Sequence, residues 1–217
     1  MTKRSYDDRC ASAHALDLIG ERWALLVVRE LLLGPKRFTD LRADLPGVSP
    51  NVLSQRLDEL ERVAVIRRRR LSPPAAAWVY ELTDWGAELE PIILQLGRWG
   101  ARSPFLNAEL PLSVDAMALE MRTFFDPSTA RGLKASYELR FGEHRYHACV
   151  NGSRFEIGRG PAAAPDAVID SDPNTLAAVI YDGADVGMLR FAGDRFFVER
   201  FVKLFTLPDK ALVAATT

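Results

Sequence analysis

The sequence contains few of the residues that build disulfide frameworks or metal centres. Only two cysteines, Cys10 and Cys149, and three histidines occur among the 217 residues. Two cysteines are too few for a disulfide framework, so we expect a reducing compartment. His144 and His147 lie close to Cys149, but on a strand His144 points to the face opposite the other two. Because zinc needs about four ligands, strand packing is the better interpretation, and we expect no metal site.

Long apolar segments are also missing. A membrane-spanning helix takes about 20 apolar residues, whereas the longest run here, 25–33, is interrupted by Arg29 and Glu30. Residues 1–8 lack the apolar core of a secretory signal. We therefore expect a cytoplasmic protein that has no membrane partner.

Sequence motifs of catalysis are absent as well. We find no Ser/His/Asp arrangement, metalloprotease motif or nucleotide-binding fingerprint. The segment 158–160, Gly-Arg-Gly, lacks the rest of a phosphate loop, and Asp182, Asp185 and Asp194 fall in segments expected to be solvated turns. The sequence thus predicts a protein that is not an enzyme and that uses no cofactor.

Charge is nearly balanced, at −1, but it is unevenly distributed. Residues 1–102 contain 16 Lys and Arg against 14 Asp and Glu, whereas residues 103–217 contain 12 against 15. Four consecutive arginines, Arg67, Arg68, Arg69 and Arg70, concentrate the positive charge. A local cationic cluster, rather than the total charge, attracts phosphate groups. The run favours a nucleic-acid partner, although a solvated strand edge would have the same composition.

The clearest local pattern is a helix from Ser49 to Val63. Ser49 suits the N-cap position because its hydroxyl can accept from an unpaired backbone N–H, and Pro50 suits the first helical position. Leucines recur at i, i+4 and i+7 on one face, and short polar residues cover the other. The leucines are Leu53, Leu57 and Leu60; the polar residues are Asn51, Ser54, Gln55, Asp58 and Arg62, with Arg56 on the flank. Such residues suit the readout of bases in a major groove, although an ordinary amphipathic helix shows the same pattern.

The flanking segments complete a winged helix-turn-helix pattern. Short helices and a tight Gly-containing turn precede Ser49, and two strands around a Pro-rich loop follow Val63. A helix to about Ala101 comes next, with a kink expected at Pro91; its large apolar surface predicts burial against a partner subunit. The predicted helices are 10–18, 21–33 (with Trp23, Leu26, Val27 and Leu31 inward), 38–43 and 83–101, and the predicted strands are 64–71 and 78–83.

Residues 104–111 are predicted to be a linker, followed by an α+β segment. Asn151-Gly152 is a strong hairpin signal within it. The predicted helices are 112–125, 174–181 and 196–207, and the predicted strands are 133–141, 146–150, 155–158, 168–170 and 188–191.

Several motifs keep their order and spacing over about ninety residues: Cys10, 15–23, 32–38, 45–49, 53–57 and 80–86. In these motifs the chain resembles the HxlR-type family of winged-helix transcriptional regulators, which are related to the MarR type. The resemblance implies a homodimer whose helices from Ser49 enter successive major grooves of double-stranded DNA while the wings touch the backbone. The candidate DNA-binding residues are Ser49, Asn51, Ser54, Gln55, Arg56, Arg37, Arg67, Arg68, Arg69 and Arg70.

Cys10 is a candidate redox sensor. It lies at a predicted helix N-terminus, which favours the thiolate. The resemblance places it where some family members sense thiol-reactive species, although Ala11 follows it here and the family usually has proline. The alternative is a small buried residue of the core.

The C-terminal segment resembles the sterol-carrier-protein-type fold in residues 167–176, 187–194 and 201–205. This resemblance implies an apolar tunnel between sheet and helices. We therefore expect an α+β fold class, with a winged helix-turn-helix DNA-binding and dimerisation domain over 1–103 and a sterol-carrier-protein-like domain over 112–217.

Two functional hypotheses follow. The first is a dimeric repressor whose DNA affinity responds to an apolar effector in the C-terminal domain or to modification of Cys10. The second is a carrier or binding module for an apolar molecule, in which the winged helix serves mainly for dimerisation.

Overall fold

The computed structural model describes residues 5–212. Residues 1–4 and 213–217, which include part of the segment assessed for a secretory signal and the outer ends of both predicted domains, lie outside the described residues. The chain forms two compact units, Met1–Ile93 and Leu94–Thr217. The predicted domain limits, 1–103 and 112–217, stay a prediction.

The first unit has the order of elements predicted for a winged helix. Four helices are followed by a two-stranded antiparallel hairpin and further helices. They are α1 (Ala11–Ile19), α2 (Ala24–Leu31), α3 (Phe38–Asp44), α4 (Pro50–Arg62), β1 (Ile66–Arg70), β2 (Trp78–Leu82), α5 (Asp84–Ala87) and α6 (Glu90–Ala101), the last of which continues into the second unit.

The leucine stripe of α4 forms the centre of the first core. Leu53, Leu57 and Leu60 are at most 1% exposed and belong to the same buried cluster as Val27 and Val28 of α2. Burying three such side chains stabilises the fold by about 1.5–3 kcal/mol each. The stripe therefore confirms the predicted inward face of α4.

The predicted inward face of α2 is partly wrong. Leu26 is 38% exposed, whereas Val28 is fully buried. Ala24, Val27, Val28 and Leu31 follow the i, i+3, i+4, i+7 spacing of one helical face, and Leu26 lies outside it.

The single kinked helix predicted over 83–101 is two helices. Helix α5 ends at Ala87 and α6 begins at Glu90, so Pro91 is the second residue of a new helix. Proline is tolerated there because the first N–H groups of a helix have no partner within the helix. The chain therefore breaks before the proline instead of bending at it.

The second unit consists of α7 (Val114–Phe124), β3 (Lys134–Phe141), β4 (His144–Asn151), β5 (Arg154–Arg159), β6 (Ala167–Asp170), α8 (Pro173–Tyr181), β7 (Arg190–Gly193) and α9 (Arg195–Phe201). Its strands form one five-stranded sheet with the order β5-β4-β3-β6-β7. Strands β3 and β6 are parallel, and the other pairs are antiparallel. Alternate residues of the sheet, including Tyr137, Leu139 and Ile169, are buried, and Phe201 of α9 packs on Tyr137 with ring centroids 4.7 Å apart.

Two predicted elements of this unit are displaced. The last strand begins at Arg190, because the Asp185 side chain accepts from Gly187 N at 2.6 Å and starts a 3-10 turn over Val186–Met188. The closing helix ends at Phe201 rather than at residue 207, since the Leu204 carbonyl accepts from Asp126 N at 2.8 Å. No helix within residues 5–212 is both long and apolar enough to cross a bilayer.

Candidate nucleic-acid interface

The N-terminus of α4 is capped as its sequence predicts. Ser49 has extended backbone angles, and its hydroxyl accepts from Val52 N at 3.3 Å. Pro50 is the first helical residue. Both features fix where the helix starts and hence which side chains form its outer face.

The polar face of α4 consists of Asn51, Ser54, Gln55, Asp58 and Arg62. All five residues are exposed, and together with Glu59 they line a shallow concave surface. Gln55 Nε2 donates to Glu59 Oε1 at 2.9 Å, which holds the amide in place on this surface. The face therefore presents groups that both donate and accept hydrogen bonds, with a single cation at its C-terminal end.

Arg56, a predicted DNA-binding residue, does not lie on this exposed face. It is only 7% exposed, and its guanidinium pairs with Glu59 and lies 3.9 Å from Glu21 Oε2. Arg56 lies at the edge of the leucine stripe, three residues after Leu53 and one before Leu57, and its contacts with Glu59 and Glu21 hold it there. A buried, paired arginine positions the helix rather than reaching outward.

The hairpin after α4 forms the wing, which consists of β1, β2 and the loop 71–77. Its four arginines are all exposed, and they alternate between two faces as a strand requires. On one face Arg67 Nε and Arg69 Nε donate to the two carboxylate oxygens of Glu81 at 2.7 and 2.6 Å. On the other face Arg68 lies over the Trp78 ring, 4.7 Å from its centroid.

Glu81 divides the wing arginines into two pairs. Although burial raises the pKa of the Glu81 carboxyl, the hydrogen bonds from Arg69 and Arg67 outweigh it and hold the pKa below its usual range. Arg68 and Arg70 make no such pair; Arg70 Nε donates to the Ala76 carbonyl at 3.3 Å. The wing therefore has one face whose arginines are paired with Glu81 and one whose arginines are not.

Arg37 lies beside the base of the wing. Lys36 N donates to Tyr80 O at 3.0 Å and Tyr80 N donates to Lys36 O at 2.8 Å, which ties the start of α3 to β2. The exposed Arg37 is the next residue, and its backbone N–H donates to Asp40 Oδ2 at 3.1 Å. The cations of α3 and the wing thus belong to one framework.

Cys10 is exposed and immediately precedes α1. The backbone N–H groups of Ser12 and Ala13 and the Ser12 side chain lower the pKa of its thiol. The position is therefore accessible and favours the thiolate. The second cysteine, Cys149, is exposed on β4 with its Sγ 4.0 Å from Ser136 Oγ, and on this strand His147 shares its outward face.

Glu81 and Arg62 belong to the wing and to the polar face of α4, but they are not among the predicted DNA-binding residues. Glu81 stands directly across from Arg67 in the hairpin register, so cross-strand pairing would have indicated it once the register was known. Arg62 follows Asp58 by four residues on the same helical face, a spacing that was visible in the sequence.

Comparison with known proteins places this framework in a family. The model described as HxlR-like helix-turn-helix matches residues 18–106. The uncharacterized HTH-type transcriptional regulator YvaP of Bacillus subtilis (strain 168) is 40% identical over 85 residues, which make up 39% of this chain and 79% of that protein. The HTH-type transcriptional regulator YodB of the same strain is 33% identical over 85 residues, 39% of this chain and 76% of that protein.

Among solved structures, the redox regulator HypR in its oxidized form is 31% identical, with a TM-score of 0.42 and coverage of 45% of this chain and 100% of that chain. The family model spans α2, α3, α4 and the wing, and the chain covers most of the length of YvaP and YodB. This chain belongs to the HxlR-like helix-turn-helix family and is a DNA-binding transcriptional regulator.

Proposed function

We propose that the protein is a homodimeric repressor in which the polar face of α4 recognises the bases of an operator and the wing arginines hold its phosphates. The observation that carries the proposal is the exposed set Asn51, Ser54 and Gln55 on the first turns of a capped helix, beside four exposed arginines. Base contacts specify a sequence, and phosphate contacts fix orientation and supply affinity.

The base contacts come from amide side chains. Asn and Gln can pair bidentately with adenine through N6 and N7, and serine can contact either kind of base edge. Asn51 and Gln55 are one helical turn apart, so both point to the same side of α4. Ser49 contributes through its cap, because its hydroxyl already accepts from Val52 N.

The phosphate contacts come from Arg37 and the wing. Arg68 and Arg70 make no ion pair with Glu81, so they contact phosphate without breaking one. Arg67 and Arg69 have to exchange Glu81 for phosphate, which makes their contribution smaller.

Dimerisation uses the apolar stripe of α6. Ile92, Leu96 and Trp99 follow the i, i+4, i+7 spacing and are 54%, 47% and 74% exposed. Contiguous exposed apolar side chains mark interaction surfaces, and a two-fold dimer places two α4 helices on half-sites about one turn of DNA apart.

Light scattering tests the dimer. The full chain should have the mass of two copies, and Leu96→Glu should reduce it to one. The matched control is Gln95→Glu, which adds the same charge on the neighbouring, already polar position. A monomeric wild-type chain would contradict the dimer.

Selection from a random double-stranded DNA library tests operator recognition. Rounds of binding and amplification should converge on a palindromic site, and fluorescence anisotropy should show tighter binding to it than to a scrambled duplex. Failure to converge at low salt would overturn the proposal. If Asn51→Ala/Gln55→Ala kept the regulatory phenotype of the wild type, the winged helix would serve mainly for dimerisation, as in the carrier hypothesis.

Repression is relieved either by an apolar effector bound in the second unit or by modification of Cys10, each of which changes the spacing of the two α4 helices. The two cysteines provide a matched pair for the second route. Iodoacetamide should weaken operator binding of the wild type and of Cys149→Ser, but not of Cys10→Ser. Equal loss in all three proteins would remove Cys10 from the mechanism.

A further inference from the structure

A mostly apolar cavity of about 490 Å³ lies within the second unit. Its walls come from the C-terminal half of α6, the segment 106–112, α7 and α8, and they include Gly100, Leu106, Leu110 and Phe124. This volume is within the range of small-molecule sites, about 300–1,000 Å³. The cavity is bordered by helices and a loop, whereas the sterol-carrier-type resemblance predicts a tunnel between sheet and helices.

Among the described residues, one polar group of a side chain that lines this cavity lacks a hydrogen-bond partner. The Tyr181 hydroxyl is buried and makes no hydrogen bond to any of the residues that the structure describes. Its ring is held edge-on by Phe124, with centroids 5.8 Å apart. A buried hydroxyl without a partner is costly, and Tyr181 lines the cavity, so a ligand in the cavity is the candidate partner for this hydroxyl.

The charge of the lining selects the ligand. Two carboxylates, those of Glu120 and Asp182, line the cavity, and none of its lining residues is Lys or Arg. Burial, and after it the negative charge of Glu120, raise the pKa of the Tyr181 hydroxyl well above its ordinary value, so the group is neutral at physiological pH. Both charged side chains that line the cavity itself are carboxylates, which favours a cationic head over an anionic one.

The segment 106–112 is hydrogen-bonded to α8 through a single side chain, that of Asn174. Asn174 Oδ1 accepts from Leu112 N at 3.1 Å, and Asn174 Nδ2 donates to Leu110 O at 3.2 Å. Both ends of this amide are therefore used to hold the segment 106–112 over the cavity. Asn174 shapes the site, and Tyr181 is left as the group that recognises the ligand.

We propose that this cavity binds an apolar primary amine. The protonated amino group donates to the Tyr181 hydroxyl oxygen near Glu120 and Asp182. The alkyl chain packs on Leu106, Leu110 and Phe124. The proposal deepens the effector role in the proposed function and rests on it for its regulatory meaning. Binding itself does not depend on DNA.

Gly100, which lines the cavity, is a suitable position for a substitution designed to fill it. A Cβ placed on Gly100 would meet no atom within 4 Å, whereas one on Gly97 would meet Thr123 Cγ2 at 3.8 Å. Gly100 is a helical residue of α6, so Gly100→Met does not strain the backbone and directs its side chain into open space. Gly97→Ala is the matched control, because a methyl group there is in ordinary contact.

Isothermal titration of the full chain with three ten-carbon ligands tests the head group. Decylamine should bind saturably with one molecule per chain, decanol should bind about tenfold more weakly, and decanoate should show no saturable binding. Gly100→Met should abolish decylamine binding, and Gly97→Ala should keep it. Tighter binding of decanoate than of decylamine, or unchanged binding in Gly100→Met, would overturn the proposal.

Two tyrosines test the recognition group. Tyr181→Phe should weaken decylamine about tenfold without lowering the melting temperature, since the lost hydroxyl had no protein partner. Tyr137→Phe is the control, because its hydroxyl is also buried without a partner but lies outside the cavity lining. Equal affinities of the two variants would remove Tyr181 from the site. Operator binding measured without ligand separates the outcomes: its loss contradicts the proposed function alone, and missing amine binding contradicts this inference alone.

Discussion

The polar face of α4 and the wing are parts of the same unit, but they present different chemistry. The face of α4 has amides and a hydroxyl with balanced charge, whereas the wing has four arginines, two of which are compensated by Glu81. Hydrogen-bonding groups without net charge discriminate between bases, and cations attract every phosphate equally. Under the proposed function, specificity and affinity therefore come from separate elements, so each should be removable without the other.

The double variant Asn51→Ala/Gln55→Ala should reduce the discrimination between the operator and a scrambled duplex. We expect this to be the largest effect. Each lost bidentate contact should cost about 1–3 kcal/mol at the selected operator, because the bases lose their partners. Affinity for a scrambled duplex should stay unchanged. Anisotropy titrations on both duplexes measure this, with Arg154→Ala, an exposed arginine of the second unit, as the control. Equal losses on the two duplexes would mean that α4 does not read sequence.

The double variant Arg68→Ala/Arg70→Ala should lower the affinity for the operator and for a scrambled duplex alike. Each lost phosphate contact should lower the slope of log affinity against log salt by about 0.9. The ratio of operator to scrambled affinity should be preserved, because arginines on the backbone carry no sequence information. A salt titration of both duplexes provides the measurement. A change in the ratio with an unchanged slope would show that the wing contacts bases.

Much of this interface could be predicted from sequence, because α4 and the wing depend on local patterns. The Ser49 cap and the leucine spacing determine the start and the inward face of α4, and the Pro-rich loop separates two short strands. Arg56 could not be placed in this way. It lies at the edge between the two faces, and the positions of Glu21 and Glu59 decide its burial.

Features that combine distant segments were beyond the sequence patterns. The pairing of Arg67 and Arg69 with Glu81 requires the register of the hairpin. The cavity of the second unit requires α6, the segment 106–112 and α8 to meet, and no periodicity contains that information. The closing helix ends before the predicted residue 207 because the backbone pairing of Leu204 with Asp126 competes with helix formation.

Ser49 and Ser54 allow the effect of the helix cap to be separated from the effect of an exposed hydroxyl on α4. Ser49→Ala removes the cap and should lower the free energy of unfolding by about 1 kcal/mol. Ser54→Ala removes an exposed hydroxyl from the interior of the same helix and should not lower stability, because alanine has the higher helix propensity. Denaturant unfolding of the two variants measures the difference. Equal stabilities would show that the Ser49 hydroxyl does not cap α4.

The smallest expected effect is the pH dependence of stability that arises from the pairs of Glu81 with Arg67 and Arg69. Its folded-state pKa is lowered, so the folded chain binds this proton less tightly than the unfolded chain. The associated stability is therefore present above the ordinary glutamate pKa, about 4.3, and is lost as the pH falls through the folded-state value. Arg67 and Arg69 are 62% and 44% exposed, so solvent screening limits each pair to about 0.2–1 kcal/mol.

Glu81→Gln should therefore flatten the acid limb of the stability curve in chemical denaturation, whereas Glu156→Gln, whose pair with Arg154 is 69% and 79% exposed, should not. At neutral pH the same variant should bind a scrambled duplex more tightly and with a steeper salt slope, because Arg67 and Arg69 no longer have to exchange a carboxylate for phosphate. Specific discrimination should not improve, since α4 is unchanged. If Glu81→Gln instead weakened binding to both duplexes, Glu81 would be orienting the two arginines towards DNA rather than competing with it, and all four arginines would act as one phosphate-binding set.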